Sequence, residues 1–181
     1  MLTLASSGWV EGIQHIASPN HDGRPAGMAV DMVVIHSIAL PPGKFGGDGV
    51  ERLFTNRCDA ASHPCFEDLQ HLRVSAHFFV RRSGEAIQFV SCNDRAWHAG
   101  VSRWGERERC NDFSIGIELE GGDDWPYEPA QYETLNALLG ALRAAYPIAH
   151  LVGHCEIAPE RKTDPGPYFD WKQVGRESRT T

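Results

Sequence analysis

Met32-Val33-Val34-Ile35-His36 is the stretch of sequence that decides how this chain folds. The run is continuous in β-branched and other apolar residues, which is typical of a strand whose two faces are both covered. Pro41-Pro42-Gly43 follows closely, and this turn-forming sequence cannot continue a strand. The pattern therefore predicts a buried strand that ends at His36.

Two more strands are predicted to carry polar residues of interest. Phe113 to Leu119 alternates strictly, which puts Glu118 on the face opposite to the apolar residues. Because the other residues of that face, Ser114 and Gly116, are small, we expect room for a ligand beside the Glu118 carboxylate. Ile148 to Val152 has the composition of a short buried strand, and it leads directly to His154.

A hairpin and a long helix complete the predicted architecture. Segments 76–82 and 85–90 are strand-like and are joined by Ser83-Gly84, which is a turn signal. Apolar residues at helical spacing follow Pro129 and stop before Tyr146-Pro147, which indicates a helix packed on the core. Strands mixed with helices in this way predict an α/β fold with a central mixed β-sheet flanked by α-helices.

Size, charge and composition favour one globular domain. The chain has 181 residues, of which 41% are hydrophobic. We expect a single domain over residues 1–181, with 1–30 as an N-terminal extension and loop and 172–181 as a flexible tail. The net charge of −7 argues against a nucleic-acid partner.

Location and oligomeric state are also expected from the sequence. No apolar stretch is long enough for a signal peptide or a membrane span. The five cysteines are widely spaced and form no C-x-x-C pair, which is typical of reduced thiols. We therefore expect a cytoplasmic protein without a membrane partner. We also expect a monomer, although no sequence pattern determines the oligomeric state.

Two of the nine histidines stand out as candidate metal ligands. A lone histidine is more often a satisfied polar group than a ligand, but His36 and His154 each follow an apolar run, where a neutral imidazole is well held if it binds a metal. Lys162 and Asp164 lie two residues apart before Pro165, so an extended backbone would point both into one cleft. From spacing alone, an exposed ion pair is the better interpretation of these two residues.

Six motifs extend these observations over most of the chain. They are Leu-Pro-Pro-Gly (40–43), His-Leu-Arg-Val-Ser-Ala-His (71–77), Arg-Ala-Trp-His-Ala-Gly-Val-Ser (95–102), Arg-Glu-Arg-Cys-Asn-Asp-Phe-Ser-Ile-Gly-Ile-Glu-Leu-Glu-Gly (107–121), Gly-His (153–154) and Ala-Pro-Glu-Arg-Lys-Thr-Asp-Pro-Gly-Pro (158–167). In this order they resemble the type 2 amidases of the peptidoglycan-recognition superfamily. The resemblance runs from Val33 to Trp171.

This resemblance implies a site and a reaction. It implies one Zn²⁺ ion bound by His36, His154 and Asp164, with Glu118 and Lys162 acting on the substrate. The implied reaction is hydrolysis of the amide bond between N-acetylmuramic acid, in its ordinary or 1,6-anhydro form, and L-alanine in small soluble muropeptides during cell-wall recycling. Superfamily members that only recognise sugar-peptides typically lack a metal ligand, so the complete set favours an enzyme.

Four residues are expected to bind substrate. Arg73 and Arg109 could pair with peptide carboxylates, and Trp97 could shape the groove. Ser37 stands where familiar members usually have Asn, which changes one hydrogen bond to the substrate rather than the reaction. Cys65 is a second departure, at a position that usually holds Tyr.

Three alternatives stay open. His77 and His98 lie in family motifs and are rival metal ligands, although the resemblance assigns the metal to neither. Two histidines and one carboxylate also make the facial triad of non-haem iron oxygenases, although such sites usually take two ligands from one short segment. A non-catalytic module that binds muropeptides and uses zinc only for shape is the third alternative.

Overall fold

The stretch around Val34 forms the second strand of a six-stranded sheet in a computed structural model, which describes residues 2–61 and 63–176. The strands in chain order are β1 (Thr3–Leu4), β2 (Val10–Glu11), β3 (Gln14–His15), β4 (His21–Gly23), β5 (Met32–Ile38), β6 (Phe78–Val80), β7 (Ala86–Gln88), β8 (Asp94–Ala96), β9 (Arg103–Trp104), β10 (Arg107–Glu108), β11 (Ser114–Glu120) and β12 (His150–Gly153). The helices are α1 (Gly49–Phe54), α2 (Phe66–Leu69), α3 (Pro129–Ala145) and α4 (His154–Ile157), and 3-10 turns occupy Cys110–Asp112 and Trp171–Val174.

The central sheet is mixed, as the sequence predicts. Its strand order is β12-β5-β11-β6-β7-β3. The first four of these strands are parallel to one another, β7 runs antiparallel to β6, and β3 is parallel to β7. The predicted hairpin is therefore the β6-β7 pair. The six other strands form three two-stranded sheets, so the fold class is confirmed as α/β with a single central sheet.

Both faces of β5 are covered, which confirms the meaning of its continuous apolar run. Val33 and Ile35 belong to the main core cluster, which also contains the apolar stripe of α3. Met32 and Val34 point the other way and pack in a smaller cluster with Phe113. Because His36 follows in the same alternation, its side chain lies on the face opposite to α3.

A second apolar cluster fixes the far side of the sheet. Val50, Leu53 and Phe54 of α1 are buried against Phe79 and Ile87 of the β6-β7 hairpin. Helix α1 has only six residues, which is too short for helical periodicity to identify it in the sequence. Sequence analysis therefore missed a helix that forms one wall of the candidate site.

The register of the parallel strands brings the candidate residues to one edge of the sheet. Glu118 on β11 lies directly opposite His36 on β5, and Gly153 on β12 lies opposite Ile35. His154 comes immediately after Gly153 and begins α4. Since parallel strands all end at the same edge, His36, Glu118 and His154 meet there.

Both chain ends differ from expectation. Residues 1–30 are not only extension and loop, because they contain β1 to β4, and β3 adds an edge strand to the central sheet. Such strands are too short to show periodicity. The first residues of the predicted tail are ordered. Trp171–Val174 is a 3-10 turn with Val174 buried, and Arg176 pairs with Glu156. Residues 177–181 lie outside the described residues. No helix of the described chain is long and apolar enough to cross a membrane.

The space over Gly116 on the small-residue face of β11 is filled, whereas Glu118 on the same face lines a cavity. A Cβ atom built on Gly116 would lie 2.4 Å from Cγ of His98, so the imidazole ring takes the room that the sequence suggested for a ligand. The expected alternation also begins one residue later than predicted. Phe113 lies just before β11 and packs with Met32 and Val34 rather than with Ile115, because a 3-10 turn precedes the strand.

We predict that Gly116→Ala destabilises the protein by about 1 to 3 kcal/mol, because the new methyl group overlaps the His98 ring. The matched control is Gly140→Ala on the exposed side of α3, where a Cβ meets nothing within 4 Å. That change should stabilise the helix by about 0.5 to 1 kcal/mol. Urea unfolding of both variants measures the two effects, and equal stability of the Gly116→Ala variant and the natural protein would contradict the packing.

Candidate metal centre and active site

Three side chains converge at the carboxyl end of the parallel strands. Nδ1 of His36 lies 3.0 Å from Nδ1 of His154, and Oδ2 of Asp164 lies 3.3 Å and 3.1 Å from these two nitrogens. Both histidines are buried, and Asp164 reaches them from the loop after α4. Among the described residues, no other group of three or more histidine, cysteine, aspartate or glutamate side chains is arranged to hold a metal.

The spacing of the three atoms fits a zinc ion. Bonds of about 2.0 Å in a tetrahedral arrangement put neighbouring ligand atoms about 3.3 Å apart, close to the three observed separations. Two imidazoles and one carboxylate leave a fourth position open, which is the composition of catalytic rather than structural zinc sites. The donor set therefore suits a catalytic metal.

Burial keeps the candidate ligand His36 neutral. Loss of solvent lowers its pKa from the ordinary value of 6.5 to about 4, and this effect outweighs its contact with Asp164. A neutral imidazole has one nitrogen lone pair free, which is the form that binds a metal. The centre is therefore ready for a cation near neutral pH without first losing a proton from His36.

Glu118 and Lys162 lie in the same cavity as the three candidate ligands. The cavity has a volume of about 260 Å³. One wall is apolar and consists of Ile38, Leu53, Phe54, Leu72 and Val74. The structure thus brings together all five residues that the family resemblance singled out, including Lys162 and Asp164, which spacing alone assigned to an exposed ion pair.

The Glu118 carboxyl group is in an unusual electrostatic position. Its Oε2 atom is buried and has no hydrogen-bond partner among the described residues. Burial raises the pKa of Glu118 well above its ordinary value, the Asp164 carboxylate raises it further, and Lys162 acts in the opposite direction. A carboxyl group with a raised pKa and a free oxygen in a cavity is suited to proton transfer near neutral pH.

Only two of the four predicted substrate-binding residues line the cavity that contains the candidate ligands. Ser37 and Trp97 line the cavity, but the Ser37 side chain lies beside the Tyr127 hydroxyl group and the Trp97 indole donates to Asp22 at 3.2 Å. The Tyr127 hydroxyl in turn donates to the Pro165 carbonyl at 2.7 Å, next to Asp164. Tyr127 therefore connects the Ser37 side of the cavity to the loop that carries Asp164, a link that no sequence spacing indicates.

The two arginines lie farther from the candidate ligands. Arg73 lines an adjoining cavity of about 240 Å³, to which Lys162 and Trp97 also contribute. Arg109 lies outside the linings of both cavities, has an exposed side chain and contacts Asp112 at 3.3 Å. Arg73 is thus positioned near the rim of the site, whereas a role for Arg109 in substrate binding stays a prediction.

Neither rival histidine has a nitrogen free for the metal. Nδ1 of His77 accepts a hydrogen bond from the Gly116 amide at 3.0 Å, and its Nε2 faces the Asp94 carbonyl at 3.2 Å. His98 contacts Nε2 of His36 at 2.9 Å, on the side of that ring away from the three convergent atoms. The sequence marks both histidines only as rival ligands, and it gives no sign of the direct contact between His98 and His36.

Known proteins match this chain over nearly its whole length. The family model for N-acetylmuramoyl-L-alanine amidase matches residues 26–167. The 1,6-anhydro-N-acetylmuramyl-L-alanine amidase AmpD of Escherichia coli (strain K12) is 52% identical over 170 residues, which are 93% of this chain and 93% of the relative.

Solved structures agree with the sequence match. A crystal structure of a selenomethionine derivative of AmpD superimposes with a TM-score of 0.93 at 52% identity, covering 97% of this chain and 98% of that chain. The N-acetylmuramyl-L-alanine amidase AmiD of E. coli, in complex with the substrate anhydro-N-acetylmuramic acid-L-Ala-D-γ-Glu-L-Lys, has a TM-score of 0.62 at 28% identity, covering 96% of this chain and 64% of that chain. Since the family match includes the convergent site and its flanking strands, this chain is an enzyme of the N-acetylmuramoyl-L-alanine amidase family.

Proposed function

We propose that this enzyme uses one zinc ion to hydrolyse the amide bond between 1,6-anhydro-N-acetylmuramic acid and L-alanine in muropeptides during cell-wall recycling. The observation that carries the proposal is the convergence of His36, His154 and Asp164 beside the buried carboxyl group of Glu118. The name of AmpD and the ligand of the AmiD complex support the substrate. We further propose a soluble substrate and a cytoplasmic monomer, as the family resemblance implies.

His36, His154 and Asp164 would hold the zinc ion in this proposal. When bound, zinc supplies a positive charge that acidifies water and polarises the scissile carbonyl group. The apolar wall of the cavity limits access of solvent, which strengthens electrostatic interactions with the bound substrate.

Glu118 would act as the general base and then as the general acid. Its unpartnered Oε2 can accept a proton from the attacking water. The raised pKa makes the resulting carboxylic acid able to return that proton to the departing amine of L-alanine. One side chain on a rigid central strand would therefore serve both halves of the reaction.

Lys162 would stabilise the negative charge that develops on the carbonyl oxygen in the tetrahedral intermediate. It lines the cavity with Glu118, and its positive charge acts on that carboxyl group. A fixed cation in a partly dry site is worth more to a transition state than the same cation in water. Ser37, Arg73, Trp97 and Arg109 would contact the sugar or the peptide, with Arg73 closest to the rim.

Release of L-alanyl peptide from a purified anhydro-muropeptide tests the proposed reaction directly. We expect release that stops on addition of a chelator and returns when zinc is restored. Binding of the muropeptide without release would instead support the non-catalytic module. Consumption of O2 by the iron-loaded protein, without release of the peptide, would support the facial-triad alternative.

We predict that Glu118→Ala retains one zinc ion per chain but loses at least about a hundredfold in turnover, the scale typical for removal of a general base. Zinc content by metal analysis and peptide release by chromatography measure the two properties. Glu133→Ala, which removes an exposed carboxylate on α3, is the matched control and should keep full turnover. Turnover of Glu118→Ala near that of the control would remove Glu118 from the mechanism.

We predict that Asp164→Ala loses the metal, because two neutral imidazoles then remain without the anionic ligand. The control is Asp124→Ala, which removes an exposed aspartate from the loop before α3. Metal analysis after gel filtration gives the result. Tight zinc binding by Asp164→Ala would show that the third ligand was wrongly chosen.

We predict that, without metal, Glu118→Gln is increasingly more stable than the natural protein as pH rises. Burial raises the pKa of Glu118 above its value in the unfolded chain, so the folded state holds a proton that is lost as pH rises. The difference in unfolding free energy should grow from about pH 5 upward by at most about 1.4 kcal/mol per pH unit. Urea unfolding across this range provides the measurement, and a constant difference would contradict a raised pKa.

A further inference from the structure

The two histidines of the metal centre have their second ring nitrogens in contact with the same loop. Nε2 of His154 lies 3.1 Å from the Ala99 carbonyl oxygen, and Nε2 of His36 lies 2.9 Å from Nδ1 of His98. A neutral imidazole carries one hydrogen, so the partner of Nε2 decides whether Nδ1 is free for a metal. The inference below rests on the metal centre of the proposed function.

The tautomer of His154 follows directly from its partner. A carbonyl oxygen can only accept a hydrogen bond, so Nε2 of His154 must carry the hydrogen that it donates to Ala99. Nδ1 of the neutral ring is then bare, and this is the atom that faces His36 and Asp164. One candidate ligand is therefore fixed by a main-chain group.

The tautomer of His36 is fixed through a longer chain of hydrogen bonds. The Ser114 hydroxyl lies 2.5 Å from the Cys110 carbonyl oxygen and 3.3 Å from Nε2 of His98. Two oxygens at 2.5 Å need a hydrogen between them, and only the Ser114 hydroxyl has one to give. Ser114 must then accept from Nε2 of His98, which leaves Nδ1 of His98 bare.

A bare Nδ1 on His98 determines what His36 does. The 2.9 Å contact between the rings needs one hydrogen, and it must come from Nε2 of His36. Nδ1 of His36 is then bare and faces Nδ1 of His154 and Oδ2 of Asp164.

We propose that His98 is a positioning residue of the metal centre, which holds His36 in the tautomer with a free Nδ1 by accepting its Nε2–H. The direction of these hydrogen bonds is set at the far end of the series, because the Cys110 carbonyl oxygen can only accept. Three lone pairs then converge with no hydrogen between them, an arrangement that a bound cation stabilises.

The loop that supplies both partners is itself held firmly. The Asn111 side chain accepts from the amides of His98 at 3.2 Å and Ala99 at 2.8 Å, and Arg161 donates to the Ala99 carbonyl at 2.9 Å. The His98 ring packs directly against Gly116, at a position that a Cβ atom would otherwise occupy. The small residues of β11 therefore serve the metal centre by making room for a histidine.

The first test is the zinc dissociation constant, measured by competition with a chromophoric chelator in the absence of substrate. His98→Ala should bind zinc about 10- to 100-fold more weakly, the usual effect of losing a partner of a metal-bound histidine. His98→Asn should recover most of this loss, because its amide oxygen can accept at the position of Nδ1. His71→Ala, at an exposed histidine, is the control and should match the natural protein.

The second test reads the tautomers in the metal-free natural protein by ¹⁵N NMR of the histidine rings. We expect hydrogen on Nε2 of both His36 and His154, and in His98→Ala a loss of this preference at His36 alone. Hydrogen on Nδ1 of His36 in the natural protein, or unchanged zinc affinity in His98→Ala, would overturn the proposal. If the natural protein binds no zinc, the proposed function fails, whereas the NMR result still decides the direction of the hydrogen-bond chain.

Discussion

The parallel pairing of β5 with β11 is the constraint on which the site depends. Its register places Glu118 beside His36. On the other side of β5, Gly153 of β12 lies opposite Ile35, so the next residue, His154, comes to the same level as His36. A shift of one residue in either pairing would turn the side chains to the opposite face of the sheet. The main core cluster prevents such a shift, because it would move Ile115 and Ile117 out of contact with α3.

The polar groups of the site are largely shielded from solvent. His36, His77 and His154 are deeply buried and His98 is partly buried, and loss of solvent lowers the pKa of His36, His77 and His98. Uncharged imidazoles avoid the large cost of burying a charge, provided that their nitrogens have partners. The hydrogen bonds to backbone and serine oxygens satisfy that need on one side of the cluster and leave the other side to a cation.

Much of this arrangement could be predicted from the sequence, because it depends on local patterns. The structure confirms the elements predicted from three such patterns: the apolar run before His36, the alternation before Glu118 and the apolar stripe of α3. Lys162 and Asp164 needed the family resemblance, since their spacing equally fits an exposed ion pair. His98 over Gly116 and Ser37 beside Tyr127 could not be found at all, because these contacts join distant segments and follow no spacing rule.

The position of β12 in the sheet has a consequence for assembly of the candidate metal centre. This strand is the last in sequence, yet it pairs with β5, and the loop that follows it carries Asp164. A chain that lacks this segment holds only one of the three candidate metal ligands, His36. Strands so far apart in sequence pair late in folding, because closing the long loop between them costs conformational entropy. Assembly of the candidate metal centre is therefore tied to this pairing, and a chain without it has no assembled group of ligands for an ion.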